Sequence, residues 1–260
     1  MKPADIVTDI LNTVRDSAKV GVNILDLEKV VEEKIKEHNA KSATKNYHPN
    51  WSNVPFPSVV CMGVNDVITH PIPKDYVLKD GDLLHIDCTI YKDERAADAA
   101  LTIPIGNISK EDERLLKTAK AALYIGIEQV KPGIKVSVIG EAIEKFVKDN
   151  GYVVNRIYTG HGIGKKMHQE PSIPHTAPTL ELVKVNGKYE LMEPTDTPVL
   201  QVGQTICIEP MLTYNDDFGV KQADGWTVKT KDKRNSAVFE HMIRVTKNGY
   251  QVLTTHIQKA

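Results

Sequence analysis

The chain has little of what would assign it to a specialised class. Its three cysteines, Cys61, Cys88 and Cys207, are an odd and widely spaced set, which predicts buried free thiols and argues against a disulfide framework. The net charge is -1, so no global field favours nucleic acid or an anionic membrane. No apolar run approaches the roughly 18 to 20 residues of a membrane span, and the N-terminus has no apolar stretch of signal-peptide type. We therefore expect a cytoplasmic protein.

What remains is an ordinary globular composition. With 260 residues and 41% hydrophobic side chains the chain can bury a substantial core. Periodicity predicts helices at 3–19, 26–38, 111–130 and 136–150, and strands near 57–64, 83–91, 96–104, 152–158, 204–213, 226–230, 237–246 and 250–254. Helices and strands come in runs, which indicates an α+β fold with antiparallel sheet. Asn186-Gly187 predicts a two-residue hairpin turn.

Two aspartates lie among the apolar residues of LLHIDCTIYKDERAADAALTI (83–103), a segment that predicts two strands around a polar turn. If Lys92 and Asp93 form the turn, Asp87 and Asp98 are directly opposed, with Cβ atoms about 4.5–5.5 Å apart. Carboxylates that close repel each other unless a proton or a cation lies between them. Two divalent metals would fit, although two surface acids on a hairpin would give the same pattern.

Further metal-ligand residues occur in unusual settings. GHGIGKKMHQEP (160–171) contains His161 and His168, and TICIEPML and SAVFEHMIRV place Glu209 and Glu240 within predicted apolar strands. Histidines of this kind are more often structural, but a carboxylate in an apolar strand is costly to bury unless it is paired or metal-bound. Four acids and a histidine in such positions favour a metal centre.

The series HIDCT, Asp98, GHGIG, IEP and FEH resembles the type I methionine aminopeptidases, which are M24 metallopeptidases of the pita-bread fold. The resemblance covers about residues 5–255. It implies a single catalytic domain over 1–260, with a central antiparallel sheet backed by helices in two pseudo-two-fold halves. The implied activity is removal of the N-terminal methionine from nascent proteins and peptides, with a preference for a small second residue.

The resemblance also implies the roles of particular residues. Two divalent ions (Co, Mn, Fe, Zn or Ni) would activate water and polarise the scissile carbonyl. Their implied ligands are Asp87, Asp98, His161, Glu209 and Glu240, with Asp98 and Glu240 bridging. Glu209 would also shuttle the proton, and His70 and His168 would bind the substrate amide and the tetrahedral intermediate.

A snug apolar pocket is needed to select methionine. By position we nominate Phe56, Cys61, Met167 and Trp226, with the irregular loop 46–57 at the rim. Ordinary core packing would explain each of these residues equally well.

The chain departs from the family pattern at three places. Ala97, Ala99 and Ala100 surround Asp98 where the family usually has H-G-D-T-S, so outer hydroxyls and a histidine are missing. We expect lower metal affinity or a lower rate as a result. His70-Pro71 replaces a histidine-glycine step, and the connection 176–203 is longer than usual.

Two alternatives stay open. One is an Xaa-Pro aminopeptidase or prolidase relative of the same fold, although about 80 residues before the first ligand leave no room for the additional domain usual there. The other is a catalytically impaired pita-bread binding module, which the retained ligands disfavour and the alanines around Asp98 favour. The expected partners are N-terminal methionine peptides and nascent chains, with transient ribosome contact. We expect a monomer with neither a nucleic-acid substrate nor a membrane partner.

Overall fold

The computed structural model describes residues 1–179, 181–185, 188–192 and 197–255. Its helices are Pro3–Ser17 (α1), Ile24–Glu37 (α2), Lys110–Glu128 (α3) and Ser137–Asp149 (α4). Its strands, in chain order, are Lys41–Ser42 (β1), Cys61–Val64 (β2), Val67–Thr69 (β3), Leu83–Lys92 (β4), Arg95–Pro104 (β5), Val153–Val154 (β6), Gly160–Gly162 (β7), Gln169–Ile173 (β8), Glu181–Val185 (β9), Lys188–Met192 (β10), Thr205–Ile208 (β11), Met211–Thr213 (β12), Val220–Lys221 (β13), Val228–Lys229 (β14), Ala237–Val238 (β15), His241–Thr246 (β16) and Gly249–Val252 (β17).

The helices begin where local chemistry favours a start. Helix α1 carries Pro3 in its first turn, where the missing N–H costs no helical hydrogen bond. Helix α2 begins after Asn23, whose side chain accepts a hydrogen bond of 2.9 Å from the Leu25 N–H. All four helices are amphipathic and bury one face. The four predicted helices are confirmed, with each end placed within two residues.

The sheets are built from antiparallel pairs. Strand β4 pairs with β5 along one edge and with β1 and β2 along the other. A five-stranded sheet follows the order β17-β16-β11-β7-β8, and two three-stranded sheets have the orders β15-β12-β6 and β13-β14-β3. Helix α1 packs on β4 and β5, and α3 packs on α4 and β15. The predicted α+β class with antiparallel sheet is confirmed.

The register of the long hairpin corrects one prediction. The turn is formed by Asp93 and Glu94, both with positive φ (50° and 58°), and not by Lys92 and Asp93. This geometry matches the twist of the flanking strands without the usual Asn-Gly signal. Consequently Asp87 lies opposite Ala100, and Asp98 lies opposite Thr89. The two aspartates are diagonal neighbours on one face and are not directly opposed.

Two predicted strands are interrupted, and each interruption falls at a glutamate. The predicted strand 204–213 breaks at Glu209-Pro210 between β11 and β12, because Pro210 has no N–H to donate. The predicted strand 237–246 breaks at Phe239-Glu240, where the Glu240 N–H donates to the Ala100 carbonyl at 2.9 Å. The placement of both glutamates inside continuous strands was therefore wrong.

Other predictions have mixed outcomes. Strands β9 and β10 pair as a hairpin within the longer connection, but the predicted turn residues 186–187 lie outside the described part of the chain. Strands β1, β3, β7, β8 and β13 were not predicted, and the strand predicted at 152–158 is reduced to Val153–Val154. All three cysteines are buried and free, as predicted. Within the described residues, no helix combines the length and apolar character needed to cross a membrane.

Candidate metal centre and peptide cavity

A cavity of about 930 Å³ opens between the sheets, and it is lined by every residue that the sequence nominated as a ligand, a catalytic group or a pocket residue. Its lining includes the five predicted ligands, the two further histidines and the four pocket residues: Asp87, Asp98, His161, Glu209, Glu240, His70, His168, Phe56, Cys61, Met167 and Trp226. Residues from both halves of the chain converge here, because Asp87 and Asp98 come from β4 and β5, His161 comes from β7, and Glu209 and Glu240 come from the breaks that follow β11 and precede β16.

Four buried carboxyl groups, those of Asp87, Asp98, Glu209 and Glu240, form what we call the cavity floor. Their environment disfavours the charged form of each group. Burial is the largest cause and raises the pKa of Asp87, Asp98, Glu209 and Glu240. Repulsion from Asp98 adds to the rise for Asp87 and Glu240, and repulsion from Asp87 adds to it for Glu209. Asp87 Oδ1 and Glu240 Oε1 are buried without a hydrogen-bond partner among the described residues. Such oxygens are costly unless something outside the chain contacts them.

His161 brings a nitrogen donor to the carboxylates. Its Nε2 lies 3.7 Å from Asp98 Oδ2 and 3.6 Å from Glu209 Oε1. Its Nδ1 is 3.0 Å from the Gly162 carbonyl oxygen, which fixes the orientation of the ring. Burial lowers the pKa of His161, so the ring is neutral and can offer a lone pair.

Asp98 has a hydroxyl partner that the alanines adjacent to it in the sequence did not predict. The alanines on each side supply no hydroxyl, but Thr89 faces Asp98 across the hairpin and donates a hydrogen bond of 2.8 Å to Oδ1. That bond opposes the effect of burial on the pKa of Asp98. An outer hydroxyl is therefore present on the neighbouring strand.

The two further histidines line the cavity in different ways. His70 is stacked on Trp51, with ring centroids 5.6 Å apart, and meets the edge of Tyr158 at 5.1 Å. Burial lowers its pKa to about 3, and its backbone has φ = 52°, a strained conformation for a histidine. His168 Nδ1 lies 3.0 Å from the Tyr47 hydroxyl, and burial lowers its pKa to about 4.

The predicted methionine pocket forms an apolar wall of the same cavity. Phe56, Cys61 and Trp226 make one buried cluster, and the rings of Phe56 and Trp226 meet edge to face at 5.1 Å. The indole N–H of Trp226 donates to the Val54 carbonyl at 3.0 Å, so the irregular loop is attached to this wall. Met167 is buried beside it, and its backbone N–H donates to the Tyr91 hydroxyl.

Sequence reasoning missed two residues at this site. Cys207 joins Asp98, His161 and Glu240 in a buried group whose possible ligand atoms all lie within 4.8 Å of one another. His175, which accepts a hydrogen bond from the Glu209 backbone, follows strand β8 and left no signal in the sequence.

The donor set fits divalent metal ions. Several buried carboxylates with raised pKa, two carboxylate oxygens without a hydrogen-bond partner in the described part of the chain, and a neutral imidazole are ligands that Mn, Fe, Co, Ni and Zn accept. A cation among them would offset the repulsion that the chain itself leaves uncompensated. A deep cavity with such a floor and an apolar wall defines the class of metal-dependent peptide hydrolases.

The comparisons with known proteins agree with this class. The model of metallopeptidase family M24 matches residues 2–247. The methionine aminopeptidase of Aquifex aeolicus is 39% identical over 97% of this chain and 93% of its own length. Methionine aminopeptidase 1 of Bacillus subtilis is 35% identical over 91% and 87%. The crystal structure of methionine aminopeptidase from Rickettsia prowazekii superposes with a TM-score of 0.85 at 33% identity, covering 96% and 93%.

The chain belongs to metallopeptidase family M24. The resemblance to methionine aminopeptidases and the pita-bread fold is confirmed, and the Xaa-Pro and binding-module alternatives are not favoured.

Proposed function

We propose that this chain removes the N-terminal methionine from nascent proteins and peptides and prefers a small second residue. The family and the names of its relatives support the activity. The observation that carries the proposal at the site is a floor of buried carboxyl groups beside an apolar wall, and two of these groups have an oxygen with no hydrogen-bond partner among the residues that the structure describes. The floor suits a metal centre, and the wall suits a methionine side chain.

Two divalent ions would be held by five residues. The proposed ligands are Asp87, Asp98, His161, Glu209 and Glu240. When bound, the ions would supply an activated water and would polarise the scissile carbonyl. The separations of 3.7 Å and 3.6 Å from His161 Nε2 to Asp98 and Glu209 support this grouping.

The chain's own groups perform the remaining steps. Glu209 would take a proton from the attacking water and pass it to the leaving amine, which is a general acid/base role. His70 and His168 would hydrogen bond the substrate amide, and both rings are neutral at pH 7 because burial lowers their pKa. Trp51 and Tyr158 pack around His70 and limit the access of water.

Selectivity for methionine is proposed to come from Phe56, Cys61, Met167 and Trp226. Aromatic rings and sulfur atoms contact a thioether favourably, because sulfur is polarisable. The aromatic pair is already packed, so the wall needs little ordering when substrate binds.

We also propose the domain organisation, the cellular compartment, the oligomeric state and the partners of the enzyme. One hydrophobic cluster takes residues from Ala4 to Val245, which supports a single catalytic domain over 1–260. Three free, buried cysteines suit a reducing compartment such as the cytoplasm. We further propose a monomer that meets nascent chains in transient contact with the ribosome.

The proposal is tested by release of free methionine from a Met-Ala-Ser peptide. Metal-stripped protein is supplied with Mn, Co or Fe, and a Leu-Ala-Ser peptide and the Asp98→Ala variant serve as controls. We expect metal-dependent release from the methionine peptide alone, and no release by the variant.

Cleavage of both peptides would discard the methionine pocket but keep the peptidase. No release with any metal, from protein shown to be folded, would overturn the proposed activity.

A further inference from the structure

We propose that His175 is a positioning residue for Glu209: its ring accepts the Glu209 backbone N–H and so fixes where the Glu209 carboxylate points. This inference rests on the proposed role of Glu209 as a ligand and proton carrier. Among the described residues, His175 belongs neither to the metal-ligand group nor to the cavity lining, so it would act by positioning Glu209 and not by contacting metal or substrate.

The hydrogen bond from Glu209 to His175 lies just beyond the end of strand β11, where strand pairing no longer provides backbone hydrogen bonds. Strand β11 ends at Ile208, and Pro210 has no N–H. The Glu209 N–H therefore falls at a break, and it donates to His175 Nε2 at 3.1 Å. At the other strand break, between β15 and β16, the Glu240 N–H likewise has an acceptor from another part of the chain, the Ala100 carbonyl at 2.9 Å. At Glu209 the acceptor is a side chain, which substitution can remove.

The His175 ring is held firmly on two sides. The side chain is 1% exposed. A Cβ at Gly140 of helix α4 would overlap the Thr176 carbonyl and come within 2.8 Å of the Pro174 carbonyl oxygen, so the helix packs directly on the backbone flanking His175. A Cβ at Gly160 would lie 3.2 Å from His175 Nε2. The two glycines permit the close approach that sets the ring against Glu209.

The tautomer follows from the hydrogen bond. Because Nε2 accepts a proton from an amide, it carries none of its own, and the proton of the neutral ring lies on Nδ1. His175 Nδ1 is buried and has no hydrogen-bond partner among the described residues, so the bond from the Glu209 N–H is the hydrogen bond that the ring makes there.

The test compares three substitutions at one position. His175→Gln keeps an acceptor at the distance of Nε2, because its amide oxygen is as many bonds from Cα. His175→Leu has no acceptor, and His175→Asn has one that is a bond too short to reach. Folding of each is checked by circular dichroism, and the polar Asn variant is available should the Leu variant fail to fold.

Two readouts are taken well below the unfolding temperature. Affinity of the metal-stripped protein for Mn²⁺ and Co²⁺ is measured by calorimetry with a competing chelator, and kcat and KM are measured with Met-Ala-Ser. We expect His175→Leu and His175→Asn to lose about 10-fold or more in metal affinity and in kcat, as groups supporting metal ligands commonly do. We expect KM to stay within about twofold, and His175→Gln to stay near wild type.

A merely structural histidine would behave differently. If the Leu and Asn variants unfold more easily yet keep wild-type metal affinity and kcat, the inference is wrong. It is also wrong if the Gln variant is impaired as severely as the other two. Wild-type protein that binds neither metal would overturn the proposed function itself, which separates the two failures.

Discussion

Two regions of this molecule bury acidic side chains, but the pKa of those side chains is lowered in one region and raised in the other. Glu144 on helix α4 has a side chain only 8% exposed, yet its pKa is lowered. Burial alone would raise it, but Lys148 at 2.9 Å, the Ala177 N–H at 2.9 Å and Arg156 outweigh that effect. On the cavity floor, burial dominates and the pKa of each of four carboxyl groups is raised.

Asp216 repeats the pattern of Glu144. It accepts backbone hydrogen bonds from Phe218, Gly219 and Lys231, and these lower its pKa against the effect of burial. The fold can therefore supply donors to an acid that it buries. Where it leaves four acids with too few donors, as on the cavity floor, a proton or a cation is needed to offset their repulsion. The comparison separates acids that serve stability from acids proposed to hold metal.

The largest expected effect is on activity. Glu209→Gln keeps the shape of the side chain but removes a ligand charge and the proton carrier. We expect methionine release to fall by about 10²- to 10⁴-fold. Unfolding of the metal-stripped variant in urea should show no loss of stability. A variant with full activity would remove Glu209 from the proposed mechanism.

The next effect is on stability in the other region. Glu144→Gln removes the charge that Lys148 and Arg156 face, and we expect the free energy of unfolding to drop by about 1–3 kcal/mol at pH 7. Because the folded pKa of Glu144 is lowered, its contribution is complete above the ordinary value of 4.5 and disappears as pH falls through the folded pKa. Urea unfolding at pH 7 and pH 3 measures this, and an equal loss at both would contradict it.

A smaller effect of opposite sign is expected on the cavity floor. In metal-stripped protein, Asp98→Asn relieves repulsion, so we expect unfolding at pH 7 to cost about 1–2 kcal/mol more than in wild type. The folded pKa of Asp98 is raised, so folded wild type binds more protons as pH falls, and the gap should narrow toward pH 5. Urea unfolding in the presence of a chelator tests it. A less stable variant would mean that Asp98 is satisfied without metal.

The smallest effect belongs to an exposed acid. Asp149 pairs with Lys145 at 2.6 Å, but both side chains are more than half exposed. We expect Asp149→Asn to change the free energy of unfolding by less than about 0.5 kcal/mol, because solvent screens such pairs. It serves as the surface control for the other unfolding experiments, and a change as large as that of Glu144→Gln would undermine the contrast.

Much of the fold could be predicted from the sequence, because the pattern of apolar residues within each segment indicates whether it forms a helix or a strand. The apolar stripes of the helices predicted their bounds within two residues. The hairpin of β4 and β5 was predicted, but its register was not, because Asp93 and Glu94 adopt positive φ without glycine or asparagine to signal it. The break at Glu209 has a local signal in Pro210, which has no N–H, but the acceptors of the Glu209 and Glu240 N–H groups lie more than 30 residues away in sequence, and periodicity cannot show these.

For the candidate site, the sequence predicted the residues that line the cavity but not the hydrogen bonds that hold them. Motif resemblance nominated residues from both halves of the chain, and the fold brings them into one cavity; their individual roles remain predictions. The Thr89 hydroxyl that contacts Asp98 could not be assigned without the register. His175 was missed because its contact is with a backbone amide, and a backbone contact requires no particular residue type in the partner.

The most direct test of the central claim is the metal dependence of stability. Metal-stripped wild type and Asp98→Asn are unfolded in urea at pH 7 with and without Mn²⁺ at about 100 times its dissociation constant for wild type. The account predicts that metal stabilises wild type by about 2.7 kcal/mol or more and leaves the variant nearly unchanged. Equal responses of the two proteins would contradict a metal centre built on the buried acids of the cavity floor.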